Sequence, residues 1–476
     1  MADNIGFDFS RNVTRALKDT QLRKNFKFAM GNFIQKRRQI FSDEKETERL
    51  RELGNAIKTR ALNRLPQLLE QLEEKCTANG IQVHWAETTS EANRQVLRIM
   101  KAHRATRLVK GKSMVSEEME LNEFLQENGI EATETDLGEF IIQLNHEKPS
   151  HIIVPAIHKN KMQIAQIFHK KIPDTPYTVD VEALNAIARK TLRQKFFEAR
   201  VGLSGVNFAV AETGTLCLVE NEGNGRMCTT VPPVHIAVMG LEKVVEKLAD
   251  VPPLLRLLTG SATGQLITTY VNMITSPRKN GEKDGPTEVH LIILDNGRSE
   301  ILADPEMRQT LQCIRCGTCL NHCPVYTRIG GHAYGFVYPG PIGKILNPQV
   351  EGLKKAGILA TASSLCDACA EVCPVKIPIP NLLRRLRYES FSTEPSCTVK
   401  ECGCQHNLID SLGWKGWEVM NTHPRFNAIG HKIMCVLGSK IPPLGPLKQW
   451  HRYRTLPKFA AKSLHQLVQE QGVENE

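Results

Sequence analysis

Through the first 75 residues, apolar side chains recur at helical intervals. Leucine returns every three or four positions across 61–72. The stretch Asp43-Glu44-Lys45-Glu46-Thr47-Glu48-Arg49 interleaves opposite charges at the spacing that makes them neighbours on one helix face. Between 76 and 300 the texture changes to short apolar runs alternating with longer amphipathic ones. Strands are predicted at 82–85, 107–109, 140–143, 152–154, 206–211, 215–219, 235–238 and 288–294, and helices at 90–102, 117–128, 159–170 and 182–199. That alternation predicts an α/β domain with a mostly parallel sheet. Residues 276–285 form a polar loop rich in turn-forming residues.

From Asp304 to about 380, cysteine, proline and glycine dominate and clear periodicity is lost. A segment of that kind is ordered by ligands as much as by a core. Beyond 381 the chain is basic, with scattered helical pattern broken by prolines at 441–446. The expected organisation is therefore an N-terminal helical segment (1–75), an α/β domain (76–300), a cysteine-rich module (301–390) and a basic C-terminal extension (391–476). The paired cysteine runs are the one internal repeat.

The length of 476 residues suits two or three such units, and 41% hydrophobic with 24% charged residues is an ordinary globular composition. The most apolar stretches, near 251–271 and 433–447, are interrupted by charged residues, Gly or Pro, so no transmembrane helix is expected. The opening Met1-Ala2-Asp3-Asn4-Ile5 does not read as a secretory signal. A cytoplasmic protein is expected. The net charge of +10 is concentrated at the two ends: residues 1–64 hold 15 Lys and Arg against 8 Asp and Glu, and residues 375–476 hold 14 against 8. Basic ends suit docking to an acidic partner or an anionic membrane surface, or are simply solvated helical faces. No nucleic-acid-binding motif accompanies the charge, so nucleic acid is not an expected partner.

Of 14 cysteines, seven lie in two tight runs. The first, Cys313-Ile314-Arg315-Cys316-Gly317-Thr318-Cys319-Leu320-Asn321-His322-Cys323-Pro324, has the C-x2-C-x2-C-x3-C-P spacing of bacterial ferredoxins. Three closely spaced thiolates wrap one cluster, Gly317 permits the tight path, and the fourth cysteine ligates the other cluster. Zinc knuckles need no such run followed by Pro. The second run is Cys366-Asp367-Ala368-Cys369-Ala370-Glu371-Val372-Cys373-Pro374. Superimposed through Cys-Pro, it matches Cys373 to Cys323, Cys369 to Cys319 and Cys366 to Cys316, while Ser363 falls at the place of Cys313. Ferredoxin logic then gives one [4Fe-4S] cluster to Cys313, Cys316, Cys319 and Cys373, and a second to Cys323, Cys366 and Cys369. The second lacks an obvious fourth ligand. The expected form is a [4Fe-4S] cluster with an unassigned fourth ligand; the alternatives are a three-iron cluster, the Ser363 oxygen, or a thiolate from Cys397, Cys402 or Cys404. The isolated Cys76, Cys217, Cys228 and Cys435 read as small buried hydrophobes.

Three polar stretches of the α/β region attract chemistry. Lys110-Gly111-Lys112-Ser113 ends like a phosphate loop, but Thr106 stands where the earlier glycine belongs, so it is not a Walker A motif. Glu212, in Glu212-Thr213-Gly214-Thr215 between two apolar strands, is a candidate base. Arg226, in Asn221-Glu222-Gly223-Asn224-Gly225-Arg226, is a candidate carboxylate grip that could share a cleft with it. His235, inside the next apolar run, is a second base candidate or a satisfied core histidine.

Taken together, 205–215, 221–226, 233–243, both cysteine runs and the linker Gly330-Gly331-His332-Ala333-Tyr334-Gly335 with Tyr338-Pro339-Gly340-Pro341-Ile342-Gly343 resemble the lactate-utilisation iron–sulfur protein family, component B of a three-protein bacterial lactate oxidation system. The resemblance covers 60–460. It implies an α/β part similar to the fold of ribose-phosphate isomerases and CoA transferases, oxidation of L-lactate to pyruvate in the cytoplasm, and two sister proteins as partners. It brings no catalytic residues with it. Two functions are in view: an electron-transfer subunit of a lactate-oxidising oxidoreductase, or an electron relay and scaffold with no substrate site. A 2-hydroxy acid gives up two electrons together, whereas each cluster passes one at a time. With no G-x-G-x-x-G after a strand, a flavin or nicotinamide that could split the pair is not expected on this chain.

Overall fold

The computed structural model describes residues 8–392, 399–402, 408–437 and 458–472, in two compact units, 1–404 and 405–476. Four helices open the first unit: α1 (Phe9–Lys18), α2 (Thr20–Ile40), α3 (Glu44–Asn63) and α4 (Leu65–Ala78). Asp8, Asp19 and Asp43 cap the first three, each carboxylate accepting from a backbone amide three residues on.

A six-stranded sheet follows, built from β1 (Gln82–Ala86), β2 (Arg107–Gly111), β3 (Glu131–Glu134), β4 (Val201–Gly205), β7 (Val234–Gly240) and β10 (Glu288–Leu294). Its order is β1-β10-β7-β4-β2-β3 and every pairing is parallel. The central strand β7 is buried at all seven positions, as a parallel sheet covered on both faces requires. Alternation divides it. Ile236 and Val238 face the helix Thr89–Ala102 and its neighbours, while Ala237 and Met239 join a core shared with α3 and α4. A second, mixed sheet runs β8-β5-β6-β9, from β5 (Phe208–Val210), β6 (Thr215–Glu220), β8 (Val244–Val245) and β9 (Tyr270–Ile274). The larger core is continuous from Phe26 and Leu50 through Met239 to Leu320 and Leu382, so the N-terminal helices, the α/β region and the cysteine-rich segment pack as one body. The second unit contains the helices Leu408–Thr422, Pro424–Leu437 and Leu464–Gln471. Among the described residues, no helix is long and apolar enough to cross a membrane.

The mostly parallel α/β architecture is as expected, with two local corrections. Residues 140–143, expected as a strand, lie inside the helix Leu137–Leu144. Asp136 accepts from the amides of Gly138 and Glu139 and so starts a helix there, and an apolar run of that length fits a buried helix as well as a strand. Residues 152–154 form no strand. The amides of Ile153 and Val154 donate to His151 Nδ1 at 3.0 and 3.2 Å, closing a bend. Strand β3, charged at both ends, and strand β4, with two glycines, escaped prediction because neighbouring strands hold them, β2 alone for the edge strand β3 and both β2 and β7 for β4, not their own pattern.

Candidate functional site

The two cysteine runs fold alike. Arg315 and Gly317 have φ of 60° and 73°, and the residues that match them, Leu365 and Asp367, have φ of 55° and 65°. Each loop then enters a four-residue helical turn, Thr318–Asn321 and Ala368–Glu371. Asp367 therefore adopts the left-handed conformation for which glycine serves in the first run, which Asp tolerates better than most residues. Backbone amides turn toward sulfur. Arg315 N lies 3.4 Å from Cys313 Sγ, Tyr326 N 3.5 Å from Cys323 Sγ and Ile377 N 3.3 Å from Cys373 Sγ.

One small cavity is lined by Cys313, Cys316 and Cys319 of the first run with Cys373 of the second. Another is lined by Cys323 of the first run with Cys366, Cys369 and Ser363. Buried Lys344 brings its ammonium 3.5 Å from Cys323 Sγ. Burial pushes the Cys369 thiol up to about 12 and the Cys373 thiol up to about 11, so thiolates here need a bound cation. Thiols grouped across the two runs, amides aimed at sulfur and a buried ammonium together fit iron–sulfur clusters. Of the remaining candidates for a fourth ligand, Cys397 and Cys404 lie outside the described residues. Cys402 is not among the described residues lining the second cavity.

A cleft of about 590 Å³ opens at the carboxyl ends of β2, β4 and β7, where ligands of open α/β sheets bind. Lys112, with φ of 60°, reaches in and pairs with Asp136, and Ser113 caps the following helix. Gly205 is required where β4 ends, because a Cβ there would sit 2.3 Å from the Lys112 carbonyl oxygen. The bend at 152–157 supplies an apolar wall. Glu139 also lines the cleft, is 8% exposed, and has a carboxylate oxygen, Oε2, with no hydrogen-bond partner. Burial, reinforced by Glu134 and Asp136, raises its pKa well above the carboxylate range. Lys243 lines the cleft as well; burial lowers its ammonium to about 8 against the pull of Glu242.

Two residues belong to both places. Ile152 and Arg315 line the cleft and also the cavity of Cys313, Cys316, Cys319 and Cys373. The Arg315 guanidinium lies 4.7 Å from the centre of the Tyr338 ring and 3.3 Å from Glu242 Oε1.

The structure does not bring Glu212 and Arg226 together. Glu212 is exposed in the turn before β6 and accepts from the Leu248 amide at 2.9 Å. Arg226 is exposed beyond the other end of β6, donating to Asn272 at 3.1 Å with its guanidinium over Tyr270. Neither lines the cleft, and the length of β6 separates them. His235 is fully buried within β7 and bonded to Ser204 Oγ at 2.8 Å, a core histidine. The cleft residues that sequence reasoning passed over carried faint signals. Arg315 is a charge between two ligand-spaced cysteines, Glu139 is a lone charge in an apolar run, and Lys243 closes the run after β7.

A parallel α/β domain whose cleft abuts a pair of ferredoxin-like cysteine loops defines an iron–sulfur electron-transport protein with an α/β domain joined to it. Residues 69–294 match the LUD domain, 309–377 a 4Fe-4S dicluster domain, and 385–473 the C-terminal domain of lactate utilisation protein B. The chain is 40% identical to lactate utilization protein B of Bacillus subtilis, over 96% of this chain and 95% of that one. It is equally similar, over the same shares, to the electron transport protein YkgF of Escherichia coli. It belongs to the lactate utilisation protein B family. A DUF162 family protein from Deinococcus radiodurans, 12% identical, covers 48% of this chain and 98% of its own at a TM-score of 0.29, a likeness too loose to carry an argument.

Proposed function

We propose that this chain is the iron–sulfur electron-transfer subunit of a cytoplasmic system that oxidises L-lactate to pyruvate, working with two sister lactate-utilisation proteins. The observation that carries the reading is the shared wall: Ile152 and Arg315 separate a small-molecule cleft from a four-cysteine cavity. The reading gives one [4Fe-4S] cluster to Cys313, Cys316, Cys319 and Cys373, and a second to Cys323, Cys366 and Cys369 with Ser363 beside them. Each cluster, when bound, takes up and passes on one electron at a time.

The chain's own residues do the rest. Arg315 and Lys243 present cations to the carboxylate of a 2-hydroxy acid. Glu139, kept protonatable by burial, is placed to exchange a proton with its hydroxyl. The bend at 152–157 gives the cleft one apolar wall. The carboxylate-holding and proton-accepting roles expected of Arg226 and Glu212 pass to Arg315 and Glu139, because the latter pair line one cavity. The basic N-terminal helices suit docking to an acidic partner or an anionic membrane surface.

One observation favours the relay alternative. Two of the cleft cations already have carboxylate partners, Lys112 in Asp136 and Arg315 in Glu242. The test is anaerobic binding of L-lactate to the purified, cluster-loaded chain, followed by addition of the two sister proteins. Saturable binding that is weakened in Arg315→Lys, and bleaching of the visible absorbance once the sister proteins supply the two-electron acceptor, are expected. If lactate does not bind this chain and its clusters are still reduced through the sister proteins, the relay and scaffold reading replaces this one.

A further inference from the structure

Beyond the cleft and the cysteine loops, the opposite edge of the parallel sheet gathers a group of side chains that neither site uses. Glu288 and His290, two apart on β10, face the same way, onto the side of the sheet covered by the helix Thr89–Ala102. His103 caps the carboxyl end of that helix and delivers its ring to the same point. One donor atom from each of His103, Glu288 and His290 lies within 4.8 Å of the other two.

The separations are more telling than the grouping. His103 Nε2 is 3.2 Å and His290 Nε2 3.6 Å from one carboxylate oxygen, Glu288 Oε2. Two ligands bonded at zinc distances of about 2.0–2.1 Å and subtending a tetrahedral angle stand roughly 3.3–3.4 Å apart. Both separations are therefore close to edges of a zinc tetrahedron. A second observation points the same way. His290 is 4% exposed, yet its Nε2 has no hydrogen-bond partner. Its other ring nitrogen, Nδ1, lies 3.0 Å from Nε2 of His84 on the adjacent strand β1, with the two rings stacked. That bond leaves the lone pair of His290 Nε2 free when Nδ1 carries the proton, the arrangement in which a neighbouring acceptor orients a ligating imidazole.

We propose that His103, Glu288 and His290 form a binding site for a divalent first-row transition ion of the zinc type, with His84 as a positioning residue behind His290. Two imidazoles and a carboxylate are donors suited to zinc and leave the fourth position open to water, on the side where His103 and Glu288 are partly exposed. The ion would fasten the end of the helix Thr89–Ala102 to β10 at the sheet edge remote from the cleft.

The experiment uses the full chain with its clusters loaded, kept anaerobic, equilibrated with zinc chloride and freed of excess over a weak chelator. A single zinc ion per chain is expected, with iron content unchanged. Zinc X-ray absorption should show a first shell of nitrogen and oxygen with no sulfur. His103→Ala, at a helix end, and Glu288→Gln should each lose that ion, and His84→Leu should weaken it by about tenfold. Zinc should raise the melting temperature of the native chain and not of His103→Ala. Zinc retained equally by His103→Ala and Glu288→Gln, sulfur in the first shell, or no zinc bound by the native chain would each overturn the proposal. His290→Ala is informative only if it folds; the two surface variants decide the matter without it.

Discussion

Arg315 Nη2 lies 3.3 Å from Glu242 Oε1, which ties the loop between the first two cysteines to the end of the central strand of the α/β sheet. Glu242 is also held by Arg298, whose Nε is 2.8 Å away, and Arg298 in turn grips Glu118 at 2.7 Å. The cysteine-rich segment and the α/β region therefore meet through charge as well as through packing. Arg315, with Ile152, forms the wall at which the cleft and the four-cysteine cavity adjoin.

Replacing Arg315 by Lys keeps the charge and removes both the fork and the stacking on Tyr338. Lactate-dependent reduction by the reconstituted three-protein system should fall roughly ten- to a hundredfold, the worth of about 1.5–3 kcal/mol in a charged hydrogen bond. Glu139→Gln should be comparably impaired. Glu212→Gln and Arg226→Lys, outside the cleft, should turn over near the native rate. Steady-state rates of the four variants, each with its melting temperature, check the expectation. Impairment confined to the Glu212 and Arg226 variants would return the substrate site to the β6 loops.

Fresh anaerobic protein should contain about eight iron and eight sulfide per chain. A stoichiometry near one zinc without sulfide at the cysteines would refute the assignment of clusters to these loops.

Cys313→Ser and Cys373→Ser should damage the same cluster although they stand 60 residues apart in the sequence. Electron paramagnetic resonance of the reduced variants should lose one common signal and keep the other. If Cys373→Ser instead matched Cys366→Ser, the division of ligands proposed here would be wrong.

Arg298 is fully buried between Glu118 and Glu242. Arg298→Met leaves two buried carboxylates short of a partner, and a loss of about 3–5 kcal/mol is expected. Arg49→Ala, which breaks only the exposed pair with Glu46, should leave the midpoint nearly unchanged. Denaturant midpoints of the two variants under identical conditions make the comparison.

Burial pushes the imidazole of His235 down to about 3, with repulsion from His290 as a smaller cause. A histidine whose folded pKa lies below its unfolded value of about 6.5 binds its proton more readily when unfolded. Its contribution is therefore intact above about pH 6.5 and is lost as the pH falls toward 3, at up to about 1.4 kcal/mol per pH unit. Melting temperatures taken between about pH 7 and pH 5 should fall less steeply for His235→Gln than for the native chain. Parallel slopes would show that this histidine does not govern the acid sensitivity.

Much of this protein was legible before any fold was known, wherever the signal is local. The spacing within each cysteine run reports how a short loop wraps, and the repeated φ values at Arg315 and Leu365, and at Gly317 and Asp367, reproduce the match read from the sequence. The helices of the first 75 residues and the strands at 82–86, 215–220 and 288–294 follow from periodicity, which acts over one or two turns of chain. What periodicity could not distinguish was an apolar run capped by Asp136 from a strand. Strands β3 and β4, weakly patterned in themselves, exist because neighbouring strands supply their hydrogen bonds, on one side for the edge strand β3 and on both for β4. The cleft was the least legible part. Lys112, Glu139, Lys243 and Arg315 are spread over some 200 residues and come together only because parallel strands end at one edge of the sheet. Glu212 and Arg226, 14 positions apart in the sequence, are held apart by the stiff length of β6. Sequence proximity is a poor guide once a strand intervenes: it extends by about 3.3 Å per residue, so the six residues of β6 span roughly 20 Å.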